Sequence, residues 1–528
     1  MSGGILDSGR SRLALAGLVA AVAVVTLDTT ILNVAIPTIG RDLHADLASL
    51  QWVIAGYSLT LGSLLIIGGR VGDVVGVRRT FAAGALLFAS GSLLASLATS
   101  TTVLVMGEAV VEGIGASLLF PASLAALSRT FDGPARAKAF ALWGGVAGAA
   151  AALGPVIGGW PTTDYSWRWG FRVNVIVAPL AGLAALRALP RGAGRERRWH
   201  VDGWGAGLLA GGLFMVVFAL TEAPAHGWLT NHGPGIALGA LTVWSPGWWL
   251  SPAAAALAVA MLSLLGFVRV ERRRAEPLVD LSVFGRRSFG AGLTTAAAVV
   301  MAQAGTMFVL AVFLQTSHHL SAIGAGRWSL PVGVAALIGA QTGGRSATVT
   351  TPTVVVRAGI VIQLAGVLTA AAVLRTAIGW APLAGTLAVF GFGAGMASSQ
   401  LTNVVLSEVP RERAGSASGV STTNNALAAA LGVAVLGAVL RAGALDIGAA
   451  RWALLAAAGL LAAGALASFT IRTTGPAGSR PRVQPEPGHG APIEVLEGAA
   501  AGAPPKGLVP VSAGRRPPGS PGPAAQAW

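Results

Sequence analysis

Apolar residues gather along the chain into runs of about twenty, recurring almost from end to end and broken by short stretches of charge, glycine and proline. A run of that length crosses about 30 Å of hydrocarbon as a helix, and the alternation of about ten residues per strand that a membrane β-barrel needs is missing. The pattern predicts spans at roughly 13–36, 49–69, 80–98, 103–127, 138–160 and 170–189, then at roughly 203–222, 252–269, 288–314, 324–344, 353–374, 380–403, 415–440 and 449–470. About fourteen helices result, and the fold class is all-α polytopic membrane protein. Residues 223–251 read as an external loop. The Pro-, Gly- and Ala-rich chain beyond about 473 reads as a disordered cytoplasmic tail.

Basic residues test that count, because one span too many or too few would reverse the side of every later loop. With the N-terminus inside, Arg70, Arg78 and Arg79, then Arg129, Arg136 and Lys138, then the arginines from Arg187 to Arg198 fall in successive cytoplasmic loops. Those from Arg269 to Arg287, then Arg345 and Arg357, then Arg411 and Arg413 follow on the same side. Outer loops receive at most two each, among them Arg41, Arg168, Arg172 and Arg327. Fourteen spans with both ends inside satisfy the rule throughout. Tryptophans agree: Trp52, Trp160, Trp167, Trp169, Trp228, Trp244, Trp248, Trp249, Trp380 and Trp452 stand at proposed outer ends, where an amphipathic ring suits the interface.

Composition adds limits. With 54% hydrophobic and 11% charged residues the 528-residue chain lacks the polar surface of a soluble globule. Its net charge of +15 could suit nucleic acid, but the arginines flank apolar runs without an interleaved basic and aromatic patch, so the excess belongs to topology. Arg10 and Arg12 precede an apolar segment too long for a signal peptide, so the first span is expected to be retained. The absence of cysteine excludes disulfides and thiolate metal sites. Abundant Ala, Gly and Arg with only Lys138 and Lys506 as lysines suit a GC-rich bacterial genome, and hence a bacterial plasma membrane.

An internal repeat organises the spans. Gly68 to Gly84 aligns without gaps on Gly343 to Gly359, and Leu127-Ser128 echoes Leu406-Ser407. The offsets suit two six-helix halves, 13–189 and 287–472, joined by a linker with an extra helix pair at 190–286 and flanked by 1–12 and the tail 473–528. Parallel halves of this kind place a substrate site at their interface near the midplane.

The chemistry lies where charge enters apolar runs. Asp28 sits roughly 23 Å from the inner end of the first span, in the outer third of the membrane. Glu108 and Glu112 fall in the outer half of the fourth span at i, i+4 spacing, about 6 Å apart on one face. Like charges that close in low dielectric resist double ionisation, so at least one is expected to hold a proton, as proton coupling or a purely structural hydrogen bond would both allow. The fifth span carries Gly144/Gly148 and Gly154-Pro155 with Gly158 and Gly159, a pattern for close helix approach and a bend. At the turn between spans two and three, Asp73 can cap the next helix or pair with Arg78 or Arg79, a latch able to open and close.

Together these stretches resemble the major facilitator superfamily, and within it the fourteen-span drug/proton antiporter branch. Leu27 to Pro37 is similar to that branch's first-span motif, Gly69 to Arg79 to the superfamily's signature loop, Gly148 to Gly159 to the antiporter motif, and Trp167 to Asn174 to the start of its sixth span. The resemblance implies export of small hydrophobic compounds against proton inflow by alternating access, with Asp28 as a coupling or substrate-facing acid. It further implies a latch of Asp73 and Arg79, and a hinge of Gly154, Pro155 and Gly158. One departure stands out: where the family's fourth span carries a basic residue three positions before a Gln-Gly pair, this chain has Ala109 and Glu112-Gly113, so Glu108 or Glu112 takes over coupling or the proton route differs. In the second half, Thr348 replaces Asp73.

Other chemistry is not expected. His226, His232, His318 and His319 lack zinc-ligand spacing and read as solvated loop residues. Gly391 to Gly395 follows no strand and reads as helix packing rather than a phosphate loop. The expectation is a monomeric, non-enzymatic exporter of a small molecule that uses the proton gradient in place of any cofactor or metal. Uptake or lipid export on the same scaffold, and a non-transporting receptor, are the alternatives.

Overall fold

The computed structural model describes residues 9–190, 203–233, 235–238, 241–274, 287–374, 380–409, 414–442 and 445–471. The first six spans are α1 (Gly9–Asp42), α2 (Leu47–Val75), α3 (Val77–Ser96), a composite of α4 (Thr101–Val105), a π-helical segment (Met106–Glu112) and α5 (Gly113–Thr130), then α6 (Gly133–Asp164) and α7 (Arg168–Ala188). After α8 (Gly203–His226), a small antiparallel hairpin of β1 (Ile236–Leu238) and β2 (Leu241–Trp244) precedes α9 (Pro252–Glu271). The last six are α10 (Arg287–Thr316), α11 (Ala322–Val349), α12 (Pro352–Val373), α13 (Trp380–Leu406), α14 (Ala414–Ala442) and α15 (Ile447–Phe469).

Among the described residues thirteen helical stretches are long and apolar enough to cross a membrane. The 20-residue α3 is the fourteenth; Arg78 and Arg79 in its first turn dilute its apolarity. The expected number of spans is therefore present. Several start on side-chain caps, with Asp46 accepting from the Ser49 amide at 3.1 Å and Asp446 from the Ala449 amide at 2.6 Å. The turn from α2 to α3 rests on Gly76, whose φ of +98° suits only glycine. The tail beyond 471, the arginines from Arg191 to Arg198, and Arg411 and Arg413 lie outside the described residues.

Glycine pairs recur at corresponding places in the two halves. Gly84 lies against Gly115 and Gly359 against Gly393, in both cases so close that a Cβ would reach the partner backbone. Each pair lets the third helix of its half contact the fourth directly. Helices α8 and α9 pack on each other, and Val217 of α8 joins Ala55 and Leu59 of α2 and Ala430 of α14 in one small apolar cluster.

Two larger cores give the arrangement of the halves. One runs through α10 and α12–α15 and takes from the first half only outer-end residues, such as Ile36, Ile39, Val53, Leu104 and Phe171. The other holds the inner portions of α1, α3, α5 and α7 and includes no residue of α10–α15. Buried hydrogen bonds reinforce the outer junction: Gln51 Nε2 donates to the Val433 carbonyl at 3.0 Å, and Gln315 Nε2 to the Val34 carbonyl at 2.8 Å. Along α6 and α11 the contact fades inward. Gly159 meets the Ala322 backbone and a Cβ on Gly148 would stand 3.1 Å from Leu337, but Gly144, Gly145 and Gly344 have nothing within 4 Å. The molecule is sealed at its outer end and parted between α6 and α11 toward the arginine-rich side.

Two expectations need correction. Trp167 is no interface anchor: it is 2% exposed, and its indole donates to Asp42 at 2.9 Å. His226 is not a solvated loop residue; it is buried at the end of α8, 3.4 Å from Glu222, which also accepts from the Trp52 indole at 3.1 Å.

Candidate functional site

The fourth span is not a plain α-helix where it carries its acids. From Met106 to Glu112 it is π-helical, wider by a fraction of a turn. Its neighbour comes extremely close here: a Cβ on Gly91 of α3 would overlap the Glu112 amide, and one on Gly107 would lie 2.6 Å from the Ala95 amide. Backbone contact with α3 on one side and Gly56 of α2 against Ala109 on the other hold the segment in place. Both carboxyls project into the first half.

There they meet Asp28. All three acids are almost wholly buried, and each offers an oxygen within 4.8 Å of the other two. Asn174 of α7 joins them, its amide donating to Asp28 Oδ1 at 2.7 Å and to Glu112 Oε1 at 3.2 Å. Among the described residues no ion pair neutralises any of the three. Asp28 Oδ2, both Glu108 oxygens and Glu112 Oε2 are buried without a hydrogen-bond partner, as are the hydroxyls of Ser92 and Tyr57. Three carboxyls brought together without a cation can satisfy one another through protons, because each added proton turns an acceptor into a donor for its neighbour. The spacing also suffices for a metal ion, but the Asn174 amide already points at two of the oxygens a cation would use.

The cluster does not open onto the space between the halves. The void beside Asp28, walled by Trp167, Gly170 and Phe171, measures about 10 Å³, too small to hold more than one water. A cavity of about 710 Å³ lies instead between α1, α6, α10, α11 and α13, lined by Thr30, Asn33, Gln303, Ser329, Phe390 and Ser399 among others. A second cavity of about 290 Å³ lies between α1, α2, α10 and α14 and includes Asn33 and Tyr57. Asp28 faces its own half, while Thr30 and Asn33, on the same stretch of α1, face the cavities.

The glycine-proline stretch of α6 lies between α1 and the other half. A Cβ on Gly154 would overlap Thr30 and one on Gly158 would lie 2.5 Å from Ile31. On its opposite side, Gly159 and the Pro155 carbonyl meet the backbone of α11 at Ala322, Ile323 and Gly326. Thr163 adds a direct bond across, accepting from the Ile323 amide at 2.9 Å.

The signature loop differs from expectation in its partners. Asp73 pairs with Arg129 at the end of α5, at 3.0 Å, rather than with Arg78 or Arg79, and it does not cap α3. Arg78 instead donates to the Leu186 carbonyl of α7, and Arg79 is exposed. The ion pair therefore ties two helices of the same half. The sequence alone gives no site role to Asn174, which there only closes the sixth-span motif, to Arg129, which there only marks an inner loop, or to Tyr57. Asn174 and Tyr57 are polar groups inside apolar runs, the signal that marked the acids, and Tyr57 is one of only two tyrosines.

The sequence matches the family model described as Major Facilitator Superfamily over residues 18–433. The tetracenomycin C resistance and export protein of Streptomyces glaucescens is 31% identical over 445 residues, covering 84% of this chain and 79% of that protein. The puromycin resistance protein pur8 of Streptomyces alboniger is 32% identical over 426 residues, covering 80% of each. The drug efflux pump JefA of Mycobacterium tuberculosis is 30% identical over 436 residues, covering 82% and 81%. Among solved structures, a bacterial homologue of the human lysosomal transporter Spinster, in an inward-facing and unoccupied conformation, superposes with a TM-score of 0.59 at 16% identity, covering 88% of this chain and 98% of that one. An auto-inhibited peptide transporter of the POT family gives a TM-score of 0.64 at 14% identity, covering 89% and 98%.

Proposed function

The chain belongs to the major facilitator superfamily and is a multi-pass transporter of a bacterial cell membrane; from that premise we propose that it exports a small hydrophobic compound, a drug or an endogenous product, in exchange for protons bound at Asp28, Glu108 and Glu112. Relatives named for resistance to and export of tetracenomycin C, and for puromycin resistance, support the direction and the kind of cargo.

The observation that carries the coupling is the double face of α1. Within one and a half turns it gives Asp28 to the sealed carboxyl cluster and Thr30 and Asn33 to the cavities. Three buried carboxylates without a counter-charge cannot all stay ionised, so the inward-parted state holds protons there. Releasing them to the inside leaves like charges that repel across α1 and the π-helical segment. A shift of α1 then passes to Gly154 and Gly158 of α6, and through Gly159 to the outer end of α11. Asp28, Glu108 and Glu112 are the proton carriers in this reading, Asn174 holds two of them in register, and the Gly154–Gly159 stretch is the pivot.

The test is uptake of cargo by everted vesicles with an acid interior. Asp28→Asn and Glu112→Gln are each expected to lower gradient-driven uptake by about tenfold or more while leaving passive exchange. Normal coupled uptake in both variants would overturn the site assignment. A second reading rests on the carboxylate spacing, which also fits a cation; uptake driven by a sodium gradient at equal pH would select it.

A further inference from the structure

The walls of the 710 Å³ cavity carry polarity but no charge. Resting on the export reading, we propose that this cavity selects uncharged, drug-sized amphiphiles and rejects lipophilic cations, so that each exchange with protons moves net positive charge inward.

The cavity's volume is that of a site for a drug-sized molecule. Among the described residues, none that lines it is Asp, Glu, Lys, Arg or His. Its polar side chains are Thr30, Asn33, Gln303, Ser329, Ser398 and Ser399, hydroxyls and amides that can donate and accept. Gln303 Nε2 lies 3.4 Å from Ser398 Oγ, a long bond that a ligand group can replace. The remaining described lining is apolar, with Phe390 as the one aromatic ring among those residues.

The acids that could neutralise a cation are close in sequence and absent in space. Asp28 stands two residues before Thr30, yet it is 3% exposed and turned into the first half, where Glu108 and Glu112 are wholly buried. A cation entering the cavity would give up hydration with no counter-charge to replace it, and a single ring face does not make up that loss. An uncharged amphiphile loses only hydrogen bonds to water, which the six polar side chains can replace. Rejection of cations here follows from a missing partner rather than from a repelling one.

The charge balance has a measurable consequence. When one uncharged molecule leaves and one or more protons enter, the same number of positive charges moves inward, so an inside-negative potential drives the exchange as the pH gradient does. One-for-one exchange of a proton for a monovalent cation would be electroneutral and indifferent to the potential.

The test uses the purified full-length chain with Nile red as the uncharged probe and tetraphenylphosphonium as the cation. In detergent, without any gradient, Nile red is expected to bind saturably and to resist displacement by about a hundredfold molar excess of tetraphenylphosphonium. Gln303→Glu, which changes charge at nearly constant shape, is expected to tighten tetraphenylphosphonium binding by about tenfold, with Ser398→Asp as an independent second variant. In liposomes at equal pH, a valinomycin-clamped potassium potential is expected to drive Nile red transport by the wild type. Displacement of Nile red by equimolar tetraphenylphosphonium, indifference of cation binding to both new carboxylates, or transport insensitive to potential would each overturn the proposal. The binding arms read charge selection whether or not protons are the coupling ion, so failure of the proton reading is separable from failure of this one.

Discussion

Asn174 shows how much a single neutral side chain can carry when its neighbours are acids. Its amide is the donor to both Asp28 and Glu112, so Asn174→Leu would leave two buried acceptors unsatisfied, at a cost of roughly 1–3 kcal/mol. A clear fall in the thermal midpoint of the purified protein is expected, and an unchanged midpoint would place the acids' donor elsewhere. Asp73 and Arg129 are the contrasting case. Their side chains are 65% and 56% exposed, and an ion pair so wet contributes about 1 kcal/mol or less. Arg129→Ala should therefore leave stability almost unchanged, and a loss on the scale of the Asn174 variant would contradict that. The acids were legible in the sequence because charge inside an apolar run is costly and conspicuous. Asn174 was not, since an amide in such a run raises no electrostatic alarm, nor was the pairing of Asp73 with a residue on another helix when two arginines stood nearer in sequence.

Among the elements, α6 is the one whose sequence most directly encodes a mechanical property. Its outer glycines lie against two helices at once, whereas a Cβ on the innermost pair, Gly144 and Gly145, would meet no neighbouring helix. A methyl group on Gly158 would press on Ile31, a β-branched side chain with little rotameric freedom. Gly158→Ala is expected to destabilise by roughly 1–3 kcal/mol through overpacking and to suppress transport. Gly144→Ala has open space and should stabilise the helix by roughly 0.5–1 kcal/mol. Thermal unfolding of the two variants checks the pair, and the opposite order would mean that α6 packs differently. Span positions could be read from apolar length alone, because about 30 Å of hydrocarbon imposes it. The π-helical segment could not: it lies where Gly91 and Gly107 bring α3 against the fourth span, a contact between two helices that neither announces alone. The hairpin after α8 was likewise read only as a loop, its strands being three and four residues long.

At the scale of the molecule, the division of labour proposed above is spatial: the carboxyl cluster lies inside the first half, the uncharged cavity between the halves, and α1 borders both. The two-half architecture was foreshadowed by the glycine repeat, and the fold by four motifs in order. Which end would be sealed was not legible, because the same sequence must support both states of an alternating-access cycle. Nor was the neutrality of the cavity, since Asp28 and Thr30 are neighbours along the chain and only the helix turn sends them to different compartments. The most direct test of this division is proton movement driven by cargo itself. In liposomes loaded with a pH-sensitive dye and started without a pH gradient, an imposed gradient of Nile red is expected to drive protons in the opposite direction through the wild type. With Asp28→Asn or Glu112→Gln no such flux is expected. Equal proton flux in wild type and variants, or cargo movement through the wild type with none, would contradict the account.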